Sequence, residues 1–237
     1  MTEEILVAKD IKKSFGRFRV LNGVNLSINR GDRYILFGSN GAGKTTLVKI
    51  LSTLLSADSG EITIFGKKPG KNLKDIKANI GFMSHEPYLY NELTALENLN
   101  FYSNLYSLQN NNERVKDLLK EIGLYHRAND RVGSFSRGMK QRLSLARAIL
   151  HDPDIIFLDE PYTGLDIRAQ EILNDLIVRL NQKGKTFFFI THDVNKGFDI
   201  AKRSGILSKG KILYEVEGGE REAFSNKYKE LIQEETG

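Results

Sequence analysis

The stretch that decides the fold is RYILFGSNGAGKTTLVKILSTLL, residues 33–55, in which a glycine-rich turn joins a short apolar strand to a helix. Residues 38–45, GSNGAGKT, fit the pattern G-x-x-x-x-G-K-[ST] between a strand and a helix, the context that this motif requires. The glycines let the backbone bend towards an anion without a Cβ in the way, and successive N–H groups at the helix start then face a phosphate. We predict a nucleotide phosphate site formed by Gly38, Ser39, Asn40, Gly41, Ala42, Gly43, Lys44, Thr45 and Thr46.

Two side chains of this loop carry its chemistry. Lys44 is predicted to reach the β- and γ-phosphates, and the Thr45 hydroxyl is predicted to ligate Mg²⁺. A chance glycine-rich turn is the competing interpretation, and the strand and helix on its two sides argue against it.

A second apolar strand, IIFLDE at 155–160, ends in two acids. Neighbouring side chains of a strand point to opposite faces, so the two carboxylates can hold different roles. Asp159 is predicted to enter the Mg²⁺ shell and Glu160 to face the attacking water. An ordinary strand-end cap is the alternative, and the nearby phosphate loop makes it the weaker one.

The remaining segments alternate between strands and helices, which predicts an α/β protein with a mainly parallel sheet covered by helices. The segments ILVAKDIKKSF and VLNGVNLSINRGD read as strands, and GILSKGKILYEVEG reads as a closing hairpin. The block at about 87–150 is mostly helical and interrupts the alternation. We expect KKPGKNLKDIKAN to be a polar connection, QNNNE at 109–113 to be a loop tip, and the C-terminal segment to be a charged helix.

Composition narrows the class of protein. The chain of 237 residues has no Cys, which excludes a disulfide framework and a thiolate metal site. Its net charge of +5 is scattered, so we expect a mildly basic surface and no nucleic acid partner. The acidic start MTEEILVAKD predicts no signal peptide, and no apolar run approaches the ~20 residues needed to cross a bilayer. We therefore expect a soluble chain, or one held at a membrane by a partner.

The segment FSRGMKQR at 135–142 resembles the signature motif of ATP-binding-cassette (ABC) ATPases, whose usual form is Leu-Ser-Gly-Gly-Gln. Ser136 and Gly138 match that form, whereas Phe135, Arg137 and Met139 depart from it. The resemblance implies that Ser136–Met139 meets the γ-phosphate of ATP held by a second subunit. A solvated helix start is the competing interpretation.

Other segments resemble family motifs in the family's order. TGLD at 163–166 resembles the D-loop of the dimer seam, with Asp166 as its acid, and ITHD places His192 like the switch histidine that contacts the γ-phosphate. By resemblance Phe15 stacks on adenine, with plain core packing as its alternative, and Val20 lies near the ribose. His85 stands where the family normally has Gln, and it is assigned both to the metal shell and to the attacking water.

The resemblance covers residues 4–215 and implies a P-loop NTPase, with a RecA-like core, a helical signature subdomain and a small antiparallel β subdomain. We expect a single ABC ATPase domain over 1–237. Its core and β subdomain take up about 1–86 and 151–218, its helical subdomain about 87–150, and its C-terminal helix 219–237. Two copies are expected to face head to tail around two ATP molecules, each with Mg²⁺.

The cargo is inferred from finer resemblances. The absence of a long coiled-coil or zinc insertion favours transport, driven from the cytoplasmic face of the cell membrane through a separate membrane-spanning subunit. His85, the LTALENLNFY run and DEPYTGLD resemble the ATPase subunit of heme exporters for cytochrome c maturation. The alternatives are a multidrug or lipid exporter, or a non-transport ABC ATPase acting on nucleic acid or translation. Tyr88, Leu89 and Tyr90 are predicted either to anchor the membrane subunit or to be core residues.

Overall fold

The computed structural model describes residues 3–109, 111–196 and 198–236. Its strands are β1 (Glu4–Phe15), β2 (Phe18–Asn29), β3 (Arg33–Phe37), β4 (Ser59–Ile64), β5 (Ile80–Met83), β6 (Ile155–Asp159), β7 (Thr186–Thr191), β8 (Arg203–Ser208) and β9 (Lys211–Glu217). Its α-helices are α1 (Lys44–Leu51), α2 (Leu73–Ala78), α3 (Ala95–Leu105), α4 (Asn111–Glu121), α5 (Arg137–Ile149), α6 (Ile167–Gln182) and α7 (Arg221–Thr236).

A six-stranded sheet in the order β5-β6-β7-β3-β8-β9 forms the centre of the molecule. All of its pairs are parallel except the closing hairpin of β8 and β9. Every residue of β6 and β7 is buried, as expected for strands that are covered on both faces. The prediction of a mainly parallel sheet is confirmed.

The two faces of this sheet pack into separate cores, because successive strand residues point to opposite sides. Phe187 and Phe189 stack with ring centroids 5.7 Å apart and pack towards α4, α5 and α6. Phe188 stacks on Tyr34 at 5.3 Å, in the core shared with α1 and the antiparallel sheet.

A second sheet of three antiparallel strands, in the order β2-β1-β4, packs on the face of the central sheet that carries Phe188. Its inward residues, among them Ile11, Leu21 and Ile28, are fully buried. This is the small antiparallel sheet that the sequence predicts, and its β1–β2 turn lies near the phosphate loop.

The helical block consists of α3, α4 and α5. A capping box begins α3: the Thr94 hydroxyl accepts from the Glu97 N–H at 3.1 Å, and the Glu97 carboxylate accepts from the Thr94 N–H at 2.8 Å. Leu99, Leu118 and Leu143, one from each helix, are fully buried in a common core.

Two local expectations are wrong. The connection KKPGKNLKDIKAN contains the short helix α2, which Ile76 anchors by burying its side chain. The expected loop tip QNNNE already enters α4 at Asn111, while Asn110 lies outside the described residues, as do Met1, Thr2, Gly197 and Gly237. Among the described helices, none combines the length and the apolar character needed to cross a membrane.

Candidate nucleotide-binding and catalytic site

The predicted site residues follow three strands that lie side by side in the sheet, in the order β6, β7 and β3. The glycine-rich loop follows β3, Asp159 ends β6, and Thr191 ends β7. Because the three strands are parallel, their carboxyl ends meet at one edge, which is where open α/β sheets bind ligands. Segments far apart in the sequence therefore meet at this edge.

The glycines of the loop are required by geometry. Gly41 and Gly43 have φ of 86° and 100°, in the left-handed region that other residues avoid. A Cβ at Gly38 would lie 2.6 Å from the Leu207 carbonyl oxygen, so the loop could not pack on β8 with a larger residue. Gly43 is the N-cap of α1, and none of the described side chains caps this helix start. Because Gly43 and the first residues of α1 line the cavity beside it, this helix start can offer N–H groups to a ligand there.

Lys44 is buried, with 7% of its surface exposed. Its Nζ donates to the carbonyl oxygens of Gly38 at 2.8 Å and Ser39 at 2.9 Å. The loop thus wraps around its own ammonium group. This arrangement holds a positive charge at the centre of the loop that is predicted to receive phosphates.

Asp159 brings the predicted metal ligands together. Its Oδ1 lies 3.4 Å from the Thr45 hydroxyl, and its Oδ2 lies 3.5 Å from Nδ1 of His85. Only 1% of the Asp159 surface is exposed, and Oδ2 has no hydrogen-bond partner among the described atoms. Burial raises the pKa of this carboxyl group, and the adjacent His85 opposes that rise.

These residues fit a divalent cation. A buried carboxylate oxygen without a hydrogen bond, beside a hydroxyl oxygen, is the type of donor set that Mg²⁺ prefers. A bound cation would also offset the cost of burying the Asp159 charge.

Glu160 is held by two donors from the end of β7. Its Oε2 accepts from the Thr191 hydroxyl at 3.0 Å, and its Oε1 lies 2.8 Å from Nδ1 of His192. Its backbone has φ of 52°, a strained value for a residue with a side chain. A carboxylate fixed in this way at the cavity wall is placed to accept a proton from water. The sequence pattern did not single out Thr191, although this residue directly precedes His192 in the ITHD segment.

One cavity of about 410 Å³ collects most of the predicted residues. Its lining residues are Phe15, Val20, Asn40, Gly41, Gly43, Lys44, Thr45, Thr46, His85, Asp159 and Glu160. The described lining does not include the loop residues Gly38, Ser39 and Ala42, nor His192, whose imidazole contacts Glu160. Phe15 is 48% exposed, so plain core packing does not describe it, and its ring is available for stacking.

The signature segment lies elsewhere on the surface. Ser136 is exposed and caps α5, with its hydroxyl accepting from the Met139 N–H at 3.2 Å. Gly138 packs against the carbonyl oxygen of Gly164, and Arg137 covers Gly164, so the signature and D-loop segments adjoin. The described lining of the cavity includes none of Ser136–Met139. Asp166 is exposed as well, and it caps α6 by accepting from the Ala169 N–H at 2.8 Å.

A buried amide that sequence reasoning missed joins the signature helix to the catalytic edge. Nε2 of Gln141, on α5, donates to the carbonyl oxygens of Glu160 at 3.4 Å and Pro161 at 3.5 Å. The sequence signal for it is a polar residue on the apolar face of α5. These contacts link α5 to the backbone of the segment that carries Glu160.

Known proteins show the same organisation. Residues 21–163 match the family described as ABC transporter. The chain is 34% identical over 211 residues to the linearmycin resistance ATP-binding protein LnrL of Bacillus subtilis, covering 88% of this chain and 68% of that protein. It is 36% identical over 228 residues to the bacitracin transport ATP-binding protein BcrA of Bacillus licheniformis, covering 96% and 74%.

Solved structures agree with the fold. A chain described as the dimeric structure of MJ0796, a bacterial ABC transporter cassette, superposes with a TM-score of 0.81 at 29% identity. The match covers 91% of this chain and all of that one. The expected ABC ATPase fold is confirmed, and the phosphate loop at 38–46 lies within the matched family region. The chain therefore belongs to the ABC transporter ATP-binding protein family and is an ATPase.

Proposed function

We propose that this ATPase drives the export of an antibiotic or another drug through a separate membrane-spanning subunit. The names of LnrL and BcrA, which concern linearmycin resistance and bacitracin transport, support this class of cargo. The comparisons do not support the heme-export expectation, because those names concern antibiotics and not heme. His85 and the LTALENLNFY run therefore did not discriminate between cargoes.

The site geometry supports a division of labour in ATP hydrolysis. Lys44 and the N–H groups of the loop bind the phosphates, Phe15 stacks on the base, and Val20 packs near the ribose. Thr45, Asp159 and His85 would hold Mg²⁺, which when bound would neutralise charge on the phosphate oxygens. Glu160 accepts the proton of the attacking water, and His192 and Thr191 keep its carboxylate oriented.

The observation that carries the proposed ATPase mechanism, with its dimer, is that the signature segment lies away from the nucleotide cavity of the same chain. Ser136 and Asp166 lie on adjoining exposed segments, away from the phosphate loop of the same chain. ABC ATPase domains form dimers and pair with membrane subunits. A head-to-tail homodimer would place Ser136–Met139 of each copy at the γ-phosphate of the ATP bound by the other.

A groove between the core and the helical block is a candidate binding site for the membrane subunit. It is a cavity of about 350 Å³ whose lining includes Leu54, Phe82, Tyr88, Tyr106 and Arg147. Leu54 and Tyr88 are each about half exposed, at 53% and 52%, which fits an anchor for an apolar segment. We propose that a helix of the membrane subunit occupies this groove and holds the ATPase at the inner face of the membrane.

The neighbouring aromatic residues have other surroundings. Leu89 packs against the core, as the alternative prediction has it. Tyr90 is 45% exposed, and its ring packs on Phe101 with centroids 5.0 Å apart. Of the three predicted anchors, Tyr88 therefore lines the groove, and the described lining includes neither of the other two.

A susceptibility assay tests the proposal. A strain lacking this chain is complemented with the wild type or with Glu160→Gln, and inhibitory concentrations are measured for a panel that includes bacitracin and linearmycin. We expect the deletion to lower the inhibitory concentration of at least one antibiotic and only the wild type to restore it. Unchanged susceptibility to the whole panel, with ATP hydrolysis intact in the purified chain, would refute drug export and leave the ATPase assignment standing.

A further inference from the structure

The C-terminal helix α7 packs against residues beside the sheet edge that carries the candidate catalytic residues. Phe224 of α7 is buried, and its ring lies 5.1 Å from the rings of both Phe37 and Phe198. Phe37 directly precedes the glycine-rich loop, and Phe198 follows the loop that carries His192. The helix therefore packs on the bases of two catalytic loops.

One polar contact of α7 reaches the catalytic machinery itself. The Tyr228 hydroxyl donates to the backbone carbonyl oxygen of His192 at 3.2 Å. The imidazole of the same His192 lies 2.8 Å from the Glu160 carboxylate. The ring of Tyr228 also packs edge-on against Phe37, with centroids 6.5 Å apart, and this contact restrains the ring on one side.

From this geometry we infer that Tyr228 is a positioning residue for ATP hydrolysis, which holds the backbone of His192 so that its imidazole stays on Glu160. The sequence pattern predicts only a charged helix for this segment and assigns it no role. The inference deepens the proposed function, since it rests on the proposed roles of Glu160 and His192.

The energetic argument concerns orientation. The His192 side chain is half exposed, so little packing restrains it, and its orientation depends on its backbone and on Glu160. Loss of the hydroxyl releases the carbonyl oxygen of His192 to water. A single neutral hydrogen bond accounts for about a two- to tenfold effect on an equilibrium or a rate. We therefore expect a small, specific effect on turnover, without an effect on ATP binding.

The chain offers a matched control. Tyr214, on β9, also packs on Phe224, with ring centroids 5.9 Å apart. Its hydroxyl makes no hydrogen bond to the residues that the structure describes. Tyr228→Phe and Tyr214→Phe thus remove the same group from two sides of one aromatic cluster, and only the first removes the contact with His192.

The experiment compares these two variants with the wild type in the full chain. Tyr228→Phe is expected to lower kcat about two- to tenfold, with KM for ATP and the thermal midpoint close to those of Tyr214→Phe. In ¹⁵N-histidine-labelled protein it should shift the imidazole signals of His192 and leave those of His126 and His151 in place. Tyr214→Phe should change neither kcat nor the His192 signals.

Two further variants distinguish a failure of the role inferred for Tyr228 from a failure of the proposed catalytic roles. Glu160→Gln and His192→Ala are assayed beside the tyrosine variants. If both lose turnover while Tyr228→Phe matches Tyr214→Phe in kcat and leaves the His192 signals unmoved, the role of Tyr228 is refuted and the catalytic assignment stands. If Glu160→Gln and His192→Ala retain wild-type turnover, the proposed catalytic roles fail, and the inference drawn from them fails too.

Discussion

Glu160→Gln separates chemistry from architecture at this site, because the amide preserves the shape of the side chain. In the structure Glu160 accepts from the Thr191 hydroxyl at 3.0 Å and lies 2.8 Å from Nδ1 of His192. A Gln can keep its oxygen towards one of these groups and turn its NH₂ towards the other. Both the hydroxyl and a neutral imidazole nitrogen can accept a hydrogen bond, so the pair of contacts can be retained.

The magnitudes follow from these contacts. At most about one hydrogen bond is lost, which lowers the free energy of unfolding by about 0.5–1.5 kcal/mol. Removal of a general base slows its reaction about 10²–10⁴-fold, or about 3–5 kcal/mol of barrier at 1.36 kcal/mol per tenfold. The loss of turnover therefore far exceeds the loss of stability, and ATP binding should be retained.

Phosphate release, thermal unfolding and size-exclusion chromatography with ATP and Mg²⁺ measure these effects on the same preparation. We expect the variant to elute as a dimer at saturating ATP, because a ligand that bridges two copies stabilises their association. Thr191→Val is the matched control: it removes one donor to Glu160 but keeps the carboxylate, and should cost about tenfold or less in turnover. Turnover of Glu160→Gln within threefold of the wild type, or a monomer at saturating ATP, would refute the reasoning.

Substitutions at four further residues test the other proposed roles. Lys44→Ala should weaken ATP binding at least about tenfold, because a charge-assisted contact to phosphate is lost, and calorimetric titration showing wild-type affinity would contradict this. Ser136→Asp should keep the cap of α5 and the thermal midpoint but repel the γ-phosphate of the second copy, so turnover should fall while Ser136→Asn retains more of it. Burial raises the pKa of Asp159 in the folded chain above its pKa in the unfolded chain, so the free energy of unfolding falls as pH rises from the unfolded pKa to the folded pKa. Asp159→Asn removes this charge and should raise the thermal midpoint of the metal-free protein at neutral pH. The same variant should abolish the added stabilisation by Mg²⁺ and ATP. His85→Gln should keep turnover within about threefold, since an amide oxygen can also ligate Mg²⁺, whereas His85→Ala should lose more in the same assay.

The sequence predicts the parts of this molecule whose causes are local. The turn between β3 and α1 and the alternation of apolar strands with amphipathic helices are consequences of backbone conformation and burial, and both are confirmed. The helix α2 was missed because Ile76 is its one fully buried side chain among lysines and polar residues, which is too little for a periodic signal.

Contacts between segments that are distant in the sequence could not be predicted from the sequence pattern. The burial of Lys44 depends on how its loop folds over it, and neither residue type nor spacing encodes that. Thr191, Gln141 and Tyr228 reach Glu160 or His192 from segments at least 19 residues away in the chain. A polar residue on an apolar helix face marks Gln141, but the sequence does not name the partner of any of the three, because only the order of strands and helices brings the partners together.

The order of the central strands also bears on the synthesis of this protein. The strand β3, which leads into the phosphate loop, pairs only with β7 and β8 among the described strands. The first residue of β7 follows β3 by roughly 150 residues, which a ribosome adds in about 7–30 s. During that time the apolar segment YILF has no strand to pair with, and it is exposed to other nascent chains and to chaperones. A chain truncated before β7 would therefore carry the complete glycine-rich motif and still be unable to form the sheet edge that is proposed to receive ATP.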